Sequence, residues 1–191
     1  MLRSIGRLDS QRRITDMRVM RNSAINELTI EQMRRRHLRR VMQIEEQVYP
    51  RPWTHNTFVT EITQMRSGAR YYMTAYVGDT LVGYAGMLFS DQDAHVTNIA
   101  VDPEWQQRGV ATELMLDVGF IARDRQCDAL TLEVRHTNTA AQELYRRFGF
   151  VPAGIRKKYY ENRDDALIMW RHGVQTEEFE QRLRFIQAGR S

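Results

Sequence analysis

The sequence predicts a single α/β domain, and three observations carry that prediction. A chain of 191 residues with 42% hydrophobic residues can bury one good core. Segments with the two-residue period of strands alternate along it with segments of helical period. Residues 98–112 then read as a strand that stops at a proline and passes through a glycine turn into a helix.

Taken in order, residues 1–26 carry six arginines and two aspartates, a balance of +4 that equals the formal net charge of the whole chain. The remainder balances 22 basic against 22 acidic residues. The body therefore lacks the basic excess of a nucleic-acid binder, and no specific nucleic acid is expected. The tail reads as a disordered extension or an overextended start, with Met17 or Met20 as later starts. A mitochondrial-type presequence is a minority reading, against which Asp9 and Asp16 argue. Order is expected from Glu27. Leu28 and Ile30 mark a short strand. Leu38, Val41, Ile44 and Val48 mark a helix, with Arg35, Arg36, Arg39 and Arg40 as a solvated face near its start. Tyr49-Pro50-Arg51-Pro52-Trp53 breaks that helix, and Thr54 can cap a second one bearing Phe58, Ile62 and Met65. Such an elbow can wall a pocket, or Trp53 can simply pack on the core. Residues 70–77 and 80–89 form two strands joined at Gly78-Asp79.

Val96, Ile99 and Val101 give the next strand its β-branched character, and Pro103 ends it. Leu114, Val118 and Ile121 place the start of the succeeding helix near Val110. Between them, Gln107 to Thr112 can aim successive backbone N–H groups outward around Gly109, an anion nest at the positive end of a helix. An ordinary tight turn is the alternative. In residues 129–134, Leu130, Leu132 and Val134 share one face while Thr131 and Glu133 share the other. A carboxylate inside a covered strand is costly unless it is solvated, paired or used. Asn138 can cap a helix whose stripe is Ala141, Leu144, Tyr145 and Phe148, stopping at Gly149. A strand at residues 166–170 comes next, and Phe179, Leu183 and Ile186 mark an amphipathic helix in residues 174–191.

Gln106-x-x-Gly109-x-Ala111 resembles the acyl-CoA-binding signature of the GNAT acetyltransferases. The run Leu132-Glu133-Val134-Arg135-x-x-Asn138-x-x-Ala141-x-x-Leu144-Tyr145-x-x-Phe148-Gly149-Phe150 resembles their second signature, and more narrowly the bacterial RimI-like enzymes that acetylate protein α-amino groups. Arg156-x-x-Tyr159-Tyr160 resembles the stretch that lines the peptide mouth in those enzymes. The resemblance covers roughly residues 27–171. It implies the GNAT fold: a mixed, mostly antiparallel, splayed sheet flanked by helices. Carried over residue by residue, it implies Glu133 as general base, Tyr145 as general acid and Asn138 as a coenzyme contact. Ile99, Ala100 and Val101 would pair with the pantetheine arm, and Gln107, Arg108, Gly109, Val110, Ala111 and Thr112 would cradle the pyrophosphate. Tyr49, Trp53, Tyr159 and Tyr160 would wall the acceptor slot. Two departures are mild: Ala111 stands where glycine is common, and Thr112 where a basic residue is frequent.

The expected organisation is a basic tail (1–26), a catalytic domain (27–172) and an amphipathic helical extension (173–191). No apolar run reaches the length of a membrane span, and no secretory segment is seen, so no membrane partner is expected. A single cysteine, Cys127, fits a reducing cytoplasm and reads as a small buried hydrophobe. The five histidines show no metal-ligand spacing, and no metal is expected. The co-substrate expected is acetyl-CoA, with direct transfer to a protein N-terminal α-amino group. RimI-like enzymes imply the N-terminal alanine of a small-subunit ribosomal protein. Two alternatives stay open: transfer to a small-molecule amine, and a non-catalytic coenzyme-binding or ribosome-associated module.

Overall fold

A computed structural model describes residues 28–160 and 163–189, so the expected basic tail lies outside the described residues. The chain runs β1 (Leu28–Gln32), α1 (Leu38–Val48), α2 (His55–Gln64), β2 (Arg70–Val77), β3 (Thr80–Ser90) and β4 (Asp93–Val101). It continues with α3 (Val110–Asp124), β5 (Ala129–Arg135), α4 (Thr139–Arg147), β6 (Val151–Tyr160), β7 (Asp164–His172) and α5 (Glu177–Ala188). The expected caps are in place: the Thr54 hydroxyl accepts from Thr57 N–H at 3.2 Å, and Asn138 Oδ1 accepts from Ala141 N–H at 3.1 Å. Cys127 is buried.

The seven strands form one mixed sheet in the order β1-β2-β3-β4-β5-β7-β6. Every neighbouring pair is antiparallel except β4 with β5. That parallel pairing is short, joining only Asp93–Val96 to Ala129–Leu132. A bulge explains where it ends. On the other edge of β4, Met87 faces Val96 and Gly86 faces Asn98, so Thr97 is the extra residue and β4 bends away from β5 beyond it. The sheet is splayed there, as the resemblance implied.

Two cores cover the sheet's two faces. The larger includes Leu114, Val118, Leu130, Leu132, Phe148 and Phe179; the smaller sets Val41, Ile44 and Phe58 of α1 and α2 against Tyr72 and Tyr84. Strand alternation sorts the side chains of β5: Leu130, Leu132 and Val134 are buried in the larger core, leaving Thr131 and Glu133 on the opposite face. The C-terminal helix belongs to the same core. Val174, Phe179, Leu183 and Ile186 are buried in it, and a Cβ added at Gly119 of α3 would lie 2.7 Å from Leu183 Cδ2. One element differs from the sequence-based expectation. The polar stretch before residue 160 forms a full strand, β6, whose register against β7 slips between Arg156 and Tyr160.

Candidate active site

The splay opens a cavity of about 820 Å³ between β4 and β5. Along its β4 edge the backbone is sorted by strand alternation. Asp102 N–H donates to Val82 O at 2.8 Å, so Ala100 also faces β3, and Ile99 and Val101 turn their polar groups toward the opening. Both carbonyls there are already taken: Tyr49 hydroxyl donates to Ile99 O at 2.8 Å, and Gln106 Nε2 donates to Val101 O at 3.1 Å. The edge that remains is one of donors, the N–H groups of Ile99 and Val101. Ala100 corrects the expected trio, because its backbone serves β3 and only its position borders the cavity.

Beyond the edge comes the cradle. Gly109 has φ +87° at the N-terminus of α3, with Gln107 also in the left-handed region at +57°, and α3 begins at Val110 as the apolar spacing predicts. Gln107, Gly109, Val110, Ala111 and Thr112 all border the cavity. Two corrections apply. Thr112 N–H donates to Gly109 O at 2.9 Å, so Thr112 contributes shape rather than a donor. Arg108 does not border the cavity; its guanidinium lies over the Trp105 ring, 4.9 Å from the centroid. The cradle is pinned from behind by an ion pair between Arg40 of α1 and buried Asp102, whose Oδ1 also accepts from Glu104 N–H at 2.9 Å.

The rest of the cavity wall collects residues from several elements. Tyr49, Trp53, Glu133, Asn138, Tyr145, Tyr159 and Tyr160 all border the cavity. Glu133 is ion-paired with His95 Nε2 at 2.9 Å and with Arg156 Nη1 at 2.7 Å. These partners, the His95 hydrogen bond first, hold its carboxyl below the usual range despite partial burial. Glu133 is therefore a permanently ionised group at neutral pH, with its side chain 15% exposed. Tyr145 is 5% exposed, and among the described residues its hydroxyl has no hydrogen-bond partner. Burial, with a smaller contribution from Tyr160, pushes that phenol well above its ordinary value and keeps it a donor. Tyr160 hydroxyl donates to Glu133 O at 3.3 Å, and its ring meets Tyr159 edge-on at 5.0 Å.

Two residues of the site were missed in the sequence. His95 bridges Thr131 Oγ1, at 2.8 Å, and Glu133; its signal was its alternation with Val96, which puts it on the Glu133 face. Glu45 is a buried acid at the cavity wall, accepting from Trp53 N–H at 3.0 Å and from the Tyr84 hydroxyl. Desolvation raises its pKa to about 7, the Trp53 N–H pulling the other way. Its signal was helical spacing, since residue 45 falls four after Val41 and three before Val48, inside the apolar stripe. Among the described residues, no group of three or more His, Cys, Asp or Glu could hold a metal ion.

The chain also has known relatives. A family model described as the acetyltransferase (GNAT) family matches residues 38–150. A Mycobacterium tuberculosis protein named N-alpha-acetyltransferase RimI is 34% identical over 139 residues, 70% of this chain and 84% of that one. An Escherichia coli ribosomal protein bS18-alanine N-acetyltransferase is 31% identical over 153 residues, 74% of this chain and 95% of that one. The crystal structure of the E. coli ribosomal-protein-S18-alanine N-acetyltransferase superposes with a TM-score of 0.71 at 28% identity, covering 79% of this chain and 97% of that one.

Proposed function

Because this chain belongs to the GNAT family of acetyltransferases, we propose that it transfers an acetyl group from acetyl-CoA to the N-terminal α-amino group of a protein. The acceptor in this reading is the N-terminal alanine of a ribosomal protein, since the E. coli relative is named a ribosomal protein bS18-alanine N-acetyltransferase and the M. tuberculosis relative an N-alpha-acetyltransferase. The reaction is assigned to the cytoplasm; among the described residues no helix is long and apolar enough to cross a membrane.

One observation carries the reading: the donor edge of β4 runs from the cradle at Gly109 to a slot where Tyr145 and Glu133 border the same cavity. The pyrophosphate rests on the N–H groups at the start of α3, with Asn138 on the α4 side of the opening. The Ile99 N–H pairs with the pantetheine arm. Val101 N–H faces the thioester oxygen, a class of contact worth about 3 kcal/mol in the transition state. Tyr145, protonated at every working pH, donates to the departing thiolate. Glu133, ionised, handles a proton of the reacting nitrogen through water. Tyr49, Trp53, Tyr159 and Tyr160 wall the slot and leave room for a small first side chain. Transfer is direct, since the one cysteine, Cys127, is buried and outside the cavity lining.

Initial rates with varied acetyl-CoA and an Ala-start peptide test this. Intersecting double-reciprocal lines are expected for a ternary complex; parallel lines with an isolable acetyl-enzyme would overturn direct transfer.

A further inference from the structure

We propose that Glu45 meets the acceptor's α-ammonium at the floor of the slot and takes its first proton. The proposal rests on the α-amino reading above and deepens it. Glu45 is 2% exposed and borders the cavity. Both carboxylate oxygens are engaged, by Trp53 N–H at 3.0 Å and the Tyr84 hydroxyl, yet both partners are neutral. Among the described residues no Lys, Arg or His comes within ion-pair distance of it. Asp102, the other buried carboxylate among the described residues, has Arg40. A buried carboxylate is costly without a cation, and a site beside it suits one brought by a ligand. Fastening the Trp53 elbow to α1 does not require the charge, because a glutamine could accept the same N–H.

Position agrees with this. Glu45 lies one helical turn before Tyr49, whose hydroxyl holds Ile99 O at the donor edge. Glu45 and Tyr145 both add to burial in pushing the Tyr49 phenol up, so all three acids share one end of the slot. The titratable groups next to Glu45 are Tyr84 from β3 and Tyr49 from the end of its own helix, and Tyr145 from α4 stands next to Tyr49. The cations on the cavity wall, Arg51 and Arg135, stand outside ion-pair range of it among the described residues.

Energetics separate the two carboxylates. An α-ammonium has a reference pKa of about 7.7 to 8.0, and an ordinary glutamate about 4.3, so transfer between them is unfavourable by more than about 1,000-fold. Glu133 is held lower still. Burial raises Glu45 to about 7, which leaves a deficit of only about tenfold. Two protons leave the nitrogen in all. The first goes to Glu45, and the free amine attacks the thioester carbonyl. As the C–S bond breaks, the thiolate takes the Tyr145 proton. The second proton of the nitrogen returns to Tyr145 through water at Glu133. The products are the amide, the CoA thiol and protonated Glu45, which yields its proton to solvent as the slot empties.

The test is Glu45→Gln, measured as kcat/KM for an Ala-start peptide from pH 6 to 9.5, with acetyl-CoA affinity by calorimetry. We expect unchanged coenzyme affinity, a loss of about 20-fold near pH 6.5, where only about one α-amine in 20 arrives free, and closure of most of that gap above pH 9, where the amine arrives deprotonated. No loss, or the same loss at every pH, would overturn the proposal. Tyr84→Phe is the milder companion: deleting a donor to the ionised carboxylate should move the acidic limb of the wild-type profile upward. An unmoved limb would count against Glu45 even if Glu45→Gln did not fold. Failure of the wild type to acetylate α-amines would instead overturn the substrate reading, and the two variants would then be compared on whichever amine is accepted.

Discussion

Replacing Tyr145 with phenylalanine separates chemistry from packing, because the structure splits the residue between them. The ring is core: it packs against Phe150 with centroids 5.9 Å apart and is 5% exposed. The hydroxyl borders the cavity and has no hydrogen-bond partner among the described residues. Tyr145→Phe therefore keeps the buried ring and breaks no internal hydrogen bond, so stability should change by less than about 0.5 kcal/mol. For a chain of this size that is a melting shift within about 2 °C. The catalytic effect should be far larger. General acids contribute roughly 10² to 10⁴-fold, and a thiol leaving group, with a reference pKa of about 8.5, needs help at the lower end. The expected fall in kcat is about 100-fold, equivalent to about 2.7 kcal/mol. The assay is release of free thiol at saturating acetyl-CoA and Ala-start peptide, beside a thermal melt. A fully active variant would show that the ring is only core and that the leaving group is protonated by something else.

Gly109→Ala places a Cβ at φ +87°, a strain of about 1 to 2 kcal/mol at the residue that opens the cradle. Acetyl-CoA affinity should weaken about tenfold by calorimetry, and an unchanged affinity would remove the cradle from the binding site. Stability should also carry the mark of Glu45. Its folded pKa is raised from 4.5 to about 7, so its contribution is fully present below about pH 4.5 and is lost as pH rises through about 7. Over that interval the loss is about 3 kcal/mol. Denaturant unfolding of wild type and Glu45→Gln should thus show the variant gaining on the wild type between pH 4.5 and 8. A difference that stays flat with pH would contradict the burial of the charge.

The scaffold was legible in the sequence wherever a local rule had one solution. Gly78-Asp79 joins two strands that pair as expected, Thr54 and Asn138 cap the helices expected of them, and α3 starts at Val110. Period-two alternation puts Glu133 on its face without any contact being known. Partners across the sheet were beyond reach, because ion pairs such as those of Glu133 with His95 and Arg156 join β5 to β4 and to β6. The strand β6 was missed since its residues are mostly exposed and show no alternation. Arg108 was expected in the cradle for its backbone N–H, and that expectation left the side chain open; the guanidinium turns back onto Trp105. Glu45 is a different case: its position belongs to the buried stripe of α1, but the sequence does not show which neutral groups meet a carboxylate there.

Substrate class is tested most directly by one competition. An Ala-start peptide, an Arg-start peptide and an N-terminally blocked peptide containing lysine are offered together with acetyl-CoA, and the acetylated atom is located by mass spectrometry. A slot walled by Tyr49, Trp53, Tyr159 and Tyr160, acting on an α-amine near its own pKa, predicts acetylation of the Ala-start α-amino group first. The lysine side chain, with a reference pKa of about 10.4, should react least. Preferential acetylation of the blocked lysine peptide would contradict transfer to protein α-amino groups.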